Sequence, residues 1–147
     1  MSAVEKSMDQ LDRPYSQTLA RLRDVGLRPT RQRLALGRLL FDGGDRHVTA
    51  ESLHEQAMGA GASVSLATVY NTLHQFTEAG LLREVVVDSA RTYFDTNVSD
   101  HHHFFHEDQG ALEDITSGAI EVSGLPQAPE GTNVSRVDIV IRVRSDK

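Results

Sequence analysis

The 147 residues are 39% hydrophobic and contain no cysteine, a length for one domain or two small lobes around a real core. The missing thiols exclude disulfide frameworks, CxxC zinc sites, cysteine nucleophiles and cysteine-bound clusters. A net charge of −6 would argue against nucleic acid if it were evenly spread, but residues 13–46 hold eight arginines against three acids, while residues 47–147 hold six basic groups against fifteen acids.

Residues 1–14 read as a flexible polar tail without the apolar stretch of a secretory signal. No run approaches the roughly 20 apolar residues of a membrane span, so a cytoplasmic protein without membrane contact is expected. From about Tyr15 to Val25, the side chains Leu19, Leu22 and Val25 recur on one helical face, and Gly26 is a stop signal. Pro29 and Thr30 open a second helix, with Leu36, Leu39 and Leu40 facing inward and Arg31, Arg33 and Arg38 outward. Gly43 and Gly44 end it.

Thr49 is placed to cap a third helix from Ala50 to about Met58, with Leu53 and Ala57 buried. Ser65 caps a fourth, in which Leu66, Val69, Leu73 and Phe76 form the inward stripe. Thr68, Tyr70, Asn71, His74 and Gln75 are left on its outer face. After Gly80 the period changes: residues 81–87 and 91–94 are extended, and residues 88–90 have turn chemistry, which makes a hairpin. Short helices followed by a hairpin, with arginines gathered on the helical part, describe a winged helix-turn-helix whose fourth helix enters a DNA major groove.

The second lobe begins near Asn97 and reads as strands over residues 102–107, 112–115 and 134–144. Along the last, Val137, Ile139, Ile141 and Val143 alternate with Asp138, Val140, Arg142 and Arg144. The segment 124–131, with Pro126 and Pro129, holds at most a short helix. So small a sheet needs its apolar face covered, and a copy of itself is the simplest cover; a homodimer is expected.

Between Asp100 and His106 stand four of the seven histidines. In an extended strand His101 and His103 share one face and His102 points the other way. Imidazoles at i and i+2 chelate a divalent ion if further His or carboxylate groups close the shell, and His47 and Asp95 are available. Imidazole also serves as an axial haem ligand, here His101, His102 or His103, with Phe104 or Phe105 as apolar cover.

With these residues in view, the chain resembles the ferric uptake regulator family, and within it the iron response regulator branch of alphaproteobacteria. The resemblance lies in Gly26-Leu27-Arg28-Pro29-Thr30 with Arg33, in the run from His47 to Leu53, in Ser65-Leu66-Ala67-Thr68-Val69-Tyr70 with Leu73, Gln75-Phe76 and Gly80-Leu81, and in Tyr93-Phe94-Asp95 before the histidines. It covers roughly residues 16–120. It implies an α+β protein: a winged-helix DNA-binding domain over residues 15–95, a hinge near 95–98 and a small α/β dimerisation and ligand-sensing domain over 96–147.

By the same resemblance, Arg28 reaches into a minor groove, and Ser65, Thr68, Tyr70 and Asn71 meet the major groove. Arg31 and Arg33 join them as outward cations. The family often has arginine where Asn71 stands, which implies a different operator preference. A regulatory metal site would use His47, Asp95, His101 and His103, and a second site Asp100, His102 and Glu121. The family's cysteine-held structural zinc has no counterpart here.

The expected function is therefore an iron- or haem-responsive transcription regulator and no enzyme. It would bind AT-rich inverted repeats of double-stranded DNA as a homodimer and control iron and haem genes, with a haem-delivering enzyme as a further partner. The alternatives are a regulator of the same family answering to manganese or zinc, and a metal or haem buffering protein that binds no DNA. Alanine in place of Tyr70 and Arg28 separates the two classes.

Overall fold

The computed structural model describes residues 15–146; the polar tail expected at 1–14 lies outside them. The chain divides into two compact units, one ending at Val98 and the other beginning at Ser99. Among the described residues no helix is long and apolar enough to cross a membrane.

The first unit holds helices α1 (Ser16–Asp24), α2 (Arg31–Phe41), α3 (Ala50–Gly59) and α4 (Leu66–Glu78), with strands β1 (His47–Val48), β2 (Arg83–Asp88) and β3 (Arg91–Asp95). Hydroxyl caps start three of the helices. Thr30 Oγ1 accepts from the Arg33 amide at 3.2 Å. Thr49 and Ser52 accept from each other's amides at 3.0 Å, and Ser65 Oγ accepts from the Thr68 amide at 3.1 Å. Each bond satisfies an amide that the first helical turn leaves without a carbonyl partner. Leu22, Leu36, Leu40, Leu53, Val69, Leu73 and Phe76 then meet in one core, closed on the sheet side by Val48 and Phe94.

Two expected core positions are exposed. Val25 and Leu66 each stand at the end of a helix, where the stripe has run past the packing partner. Thr18 and Thr72 are buried instead, and Thr18 explains a glycine inside α2. A Cβ at Gly37 would overlap the Thr18 methyl, so the Thr18 side chain fills the space between the two helices and α2 has none to add there. Gly37→Ala gains helix propensity of about 1 kcal/mol, but overpacking costs more, and a net loss of about 1–2 kcal/mol is expected. Urea unfolding checks this, and adding Thr18→Ala should recover most of the loss; no recovery would place the strain elsewhere.

The sheet order is β1-β3-β2, antiparallel throughout. At the hairpin turn the Arg91 guanidinium, with help from the Ala90 amide, holds the Asp88 carboxyl below its ordinary range. The two-residue β1 has no signature in the sequence, yet it sets His47 directly opposite Asp95.

The second unit is a three-stranded sheet of β4 (His102–His106), β5 (Ala111–Ile115) and β6 (Val140–Val143), in the order β5-β4-β6. β5 runs antiparallel to β4 and β6 parallel to it. β6 is shorter than the strand expected over 134–144. Its register pairs His103 with Val140, so residues before Ile139 would need partners upstream of His102, where β4 has not begun. His103 and Phe105 are buried on one face of β4. No helix forms over 124–131.

Candidate nucleic-acid interface and metal centre

In the first unit, α4 presents an exposed face. Asn71 is exposed, Tyr70 is 37% exposed and Thr68 is half-buried. The Ser65 hydroxyl is occupied by the helix cap and by a 2.9 Å bond to Thr68 Oγ1. Arg28 and Arg31 are exposed, which suits contact with phosphates or grooves.

Arg33 has a different use. Its Nη1 donates to the Arg28 carbonyl at 2.8 Å and its Nη2 to Gln75 Oε1 on α4 at 2.9 Å. It thus ties the turn that carries Arg28 to the exposed helix. Arg46 is spent similarly, donating to the Leu39 carbonyl at 2.9 Å and to Gln56 at 2.8 Å. Arg33→Ala is expected to lower DNA affinity about tenfold, by roughly 1.4 kcal/mol, through misplacement rather than charge. Its salt slope should stay near that of the wild type, whereas Arg28→Ala should reduce the slope by about one. Anisotropy titrations at several salt concentrations separate the two roles; a reduced slope for Arg33→Ala would make it a phosphate contact.

Also in the first unit, β1 and β3 bring His47 Nε2 to 3.1 Å from Asp95 Oδ2. Asp95 is fully buried, and its other oxygen accepts from the Asn97 amide at 2.9 Å. A carboxylate held in this way keeps one oxygen aimed at the imidazole.

In the second unit, His101 and His103 share a face of the chain with ring centroids 4.5 Å apart. Their Nε2 atoms lie 3.0 and 3.2 Å from one and the same oxygen, Asp114 Oδ1. The His101 Nδ1 proton is donated to the Ser99 carbonyl at 2.6 Å, which leaves the lone pair of a neutral ring on Nε2. That lone pair faces a carboxylate oxygen, a repulsive arrangement unless a cation or an extra proton stands among the three atoms. Metal-ligating imidazoles commonly donate one ring N–H to a backbone carbonyl, as His101 does, which fixes the tautomer and leaves the other nitrogen for the ion. The ligand atoms of these three residues lie within 4.8 Å of one another, so the donor set fits a divalent ion.

Asp114 was not among the residues picked out from the sequence. Only the pairing of β4 with β5, which sets His103 opposite Asp114, brings it in. Asp100, His102 and Glu121 are not gathered at ligand distance among the described residues. His102 Nδ1 instead accepts from the Ile139 amide at 3.1 Å, and His106 pairs with Glu113 at 3.0 Å.

A family model described as the ferric uptake regulator family matches residues 24–142. The peroxide operon regulator of Bacillus subtilis is 35% identical over 120 residues, covering 81% of this chain and 82% of that protein. The peroxide-responsive repressor PerR of Staphylococcus epidermidis is 30% identical over 112 residues, covering 76% and 74%. Among solved structures, the ferric uptake regulator of Pseudomonas aeruginosa with manganese is similar at a TM-score of 0.65 and 26% identity, covering 88% of this chain and 98% of that one. The Vibrio cholerae ferric uptake regulator, at 20% identity and a TM-score of 0.66 over 86% and 98% of the chains, shares the fold. The chain belongs to the ferric uptake regulator family of metal-responsive, DNA-binding transcription regulators.

Proposed function

We propose that this chain is a homodimeric repressor or activator in the cytoplasm whose hold on an AT-rich inverted repeat is set by iron(II), for which manganese(II) is a working substitute. The observation that carries the reading is the convergence of two buried imidazole nitrogens on one Asp114 oxygen. His101, His103 and Asp114 would hold the ion, and His47 with Asp95 is the further ligand pair that the family resemblance implies. A donor set of imidazoles and carboxylates without thiolate would suit iron(II) or manganese(II). The manganese in the P. aeruginosa structure and the peroxide response in the relatives' names support a redox-competent or manganese-like ion.

When bound, the ion would supply a charge that holds its ligands in one arrangement, and filling the site would favour one arrangement of the paired reading helices. For haem, His101 and His103 are buried and already turned to Asp114, so the half-buried His102 is the candidate axial ligand to test. The exposed apolar Ile141 on edge strand β6, in a unit that also exposes Leu125 and Val134, supports a second copy as cover. The proposed role contains no catalytic step.

Calorimetric titration of apoprotein with manganese(II) tests the shared site. One ion per chain is expected, and His47→Ala and His101→Ala should each weaken binding at least tenfold. Unchanged affinity in His47→Ala would confine the site to the second unit. A haem titration that gives a strong absorption band, lost in His102→Ala, would favour haem instead.

A further inference from the structure

Tyr70 does not project from α4 unattended. Its hydroxyl donates to Glu51 Oε1 on α3 at 2.8 Å, and its ring stacks on His74 at 6.4 Å with an interplanar angle of 19°. His74 in turn meets the edge of Phe94 on β3 at 5.6 Å. Glu51, Tyr70 and His74 line a groove of about 260 Å³ between α3, α4 and the hairpin, with Glu84 and Arg91 on its far wall. A carboxylate on a surface meant for polyanionic DNA repels phosphate, so its place beside Tyr70 on the exposed face of α4 calls for a positive use.

A phenol has one proton to donate, and here Glu51 takes it. Tyr70 then offers a base pair only its ring and its oxygen lone pairs, beside the second, acceptor-only oxygen of Glu51. An A·T pair presents in the major groove a thymine methyl, which packs on a ring, and the adenine amino group, which donates to an acceptor. A G·C pair also offers a donor, the cytosine N4 amino group, but it has no methyl for the ring, and its guanine presents two acceptors, O6 and N7, against which both oxygens are mismatched.

We infer that Glu51 is a positioning and specificity-determining residue, which holds the Tyr70 hydroxyl so that the pair selects an A·T base pair and rejects guanine in the major groove. This rests on the DNA-binding reading of α4 and names the device that reads one position of the operator. Contact with Glu51, then burial, also holds the Tyr70 phenol above its ordinary range.

The test is selection from a randomised duplex pool by full-length protein supplied with manganese(II), using wild type, Glu51→Ala, Glu51→Gln and Tyr70→Phe. The expected result is an enriched motif for wild type in which Glu51→Ala and Tyr70→Phe blunt the same A·T position by about tenfold. Glu51→Gln, which restores shape but adds a donor, should admit guanine there. Affinity of Glu51→Ala for unrelated duplex should hold or rise, because a negative charge has gone; a merely structural role would lower affinity for every duplex alike. A spectrophotometric titration of the three tyrosines reads the contact without DNA, since Glu51→Ala should bring one phenol down toward its ordinary range. Full preference retained at every position in Glu51→Ala, or blunting at a position other than that of Tyr70→Phe, overturns the inference. A wild-type pool with no enriched motif overturns the DNA-binding reading, and with it this use of Glu51, even where the phenol titration shifts.

Discussion

Replacing Asp114 with alanine is expected to weaken manganese(II) binding about 100-fold, or roughly 2.8 kcal/mol, and to leave apoprotein folded. Asp114 Oδ1 is the atom on which both His101 and His103 converge, so its loss removes a charged donor and the anchor that orients two imidazoles. Asp114→Asn keeps the shape and an oxygen but not the charge, and should fall between. Glu113→Ala is the control: its carboxylate pairs with His106, and neighbouring residues of a strand face opposite ways. Manganese titration followed by electron paramagnetic resonance reads all three variants. Equal affinity in Asp114→Ala and wild type would remove the second unit's half-site from the account.

Phe76→Ala should have the largest effect on stability, about 3–5 kcal/mol, which is a large share of the 5–15 kcal/mol typical of a whole domain. The ring is completely buried and lies 6.1 Å from that of Phe41, so truncation leaves a cavity that α2 and α4 together cannot close. Because α4 is also the proposed reading helix, DNA affinity should fall along with the denaturant midpoint. A loss below about 1 kcal/mol, the range of surface substitutions, would mean that α4 is held by something other than this core.

The helices of the first unit were legible because their signals are local. Thr30, Thr49 and Ser65 announce where each begins, and the spacing of Leu36, Leu40, Leu53, Val69, Leu73 and Phe76 fixes the buried stripe. Val25 and Leu66 misled because period alone cannot tell where a helix outruns its partner. Thr18 was missed because its burial depends on the absent side chain of Gly37 in another helix. Strand β6 was overextended for a similar reason: alternation marks residues that can pair, and the short partner β4 decides which ones do.

The site divides along the same line. That His101 and His103 share a face follows from the period of a strand. That Asp114 closes on them follows from the register of β5 against β4, and no spacing in the sequence encodes a register. Arg33 shows the converse limit: an outward arginine in a basic segment reads as a phosphate contact, and only its bonds to the Arg28 carbonyl and Gln75 reveal a tie between the turn before α2 and the exposed helix α4.

The central claim is that filling the His-Asp site changes the grip on DNA. Its most direct measurement is the affinity for a selected duplex with manganese(II) supplied and with the ion stripped by chelator, in wild type and in Asp114→Ala. A change of at least tenfold in wild type that vanishes in Asp114→Ala is the predicted result. Identical affinity in all four conditions would contradict it and leave a protein that binds DNA without sensing a metal.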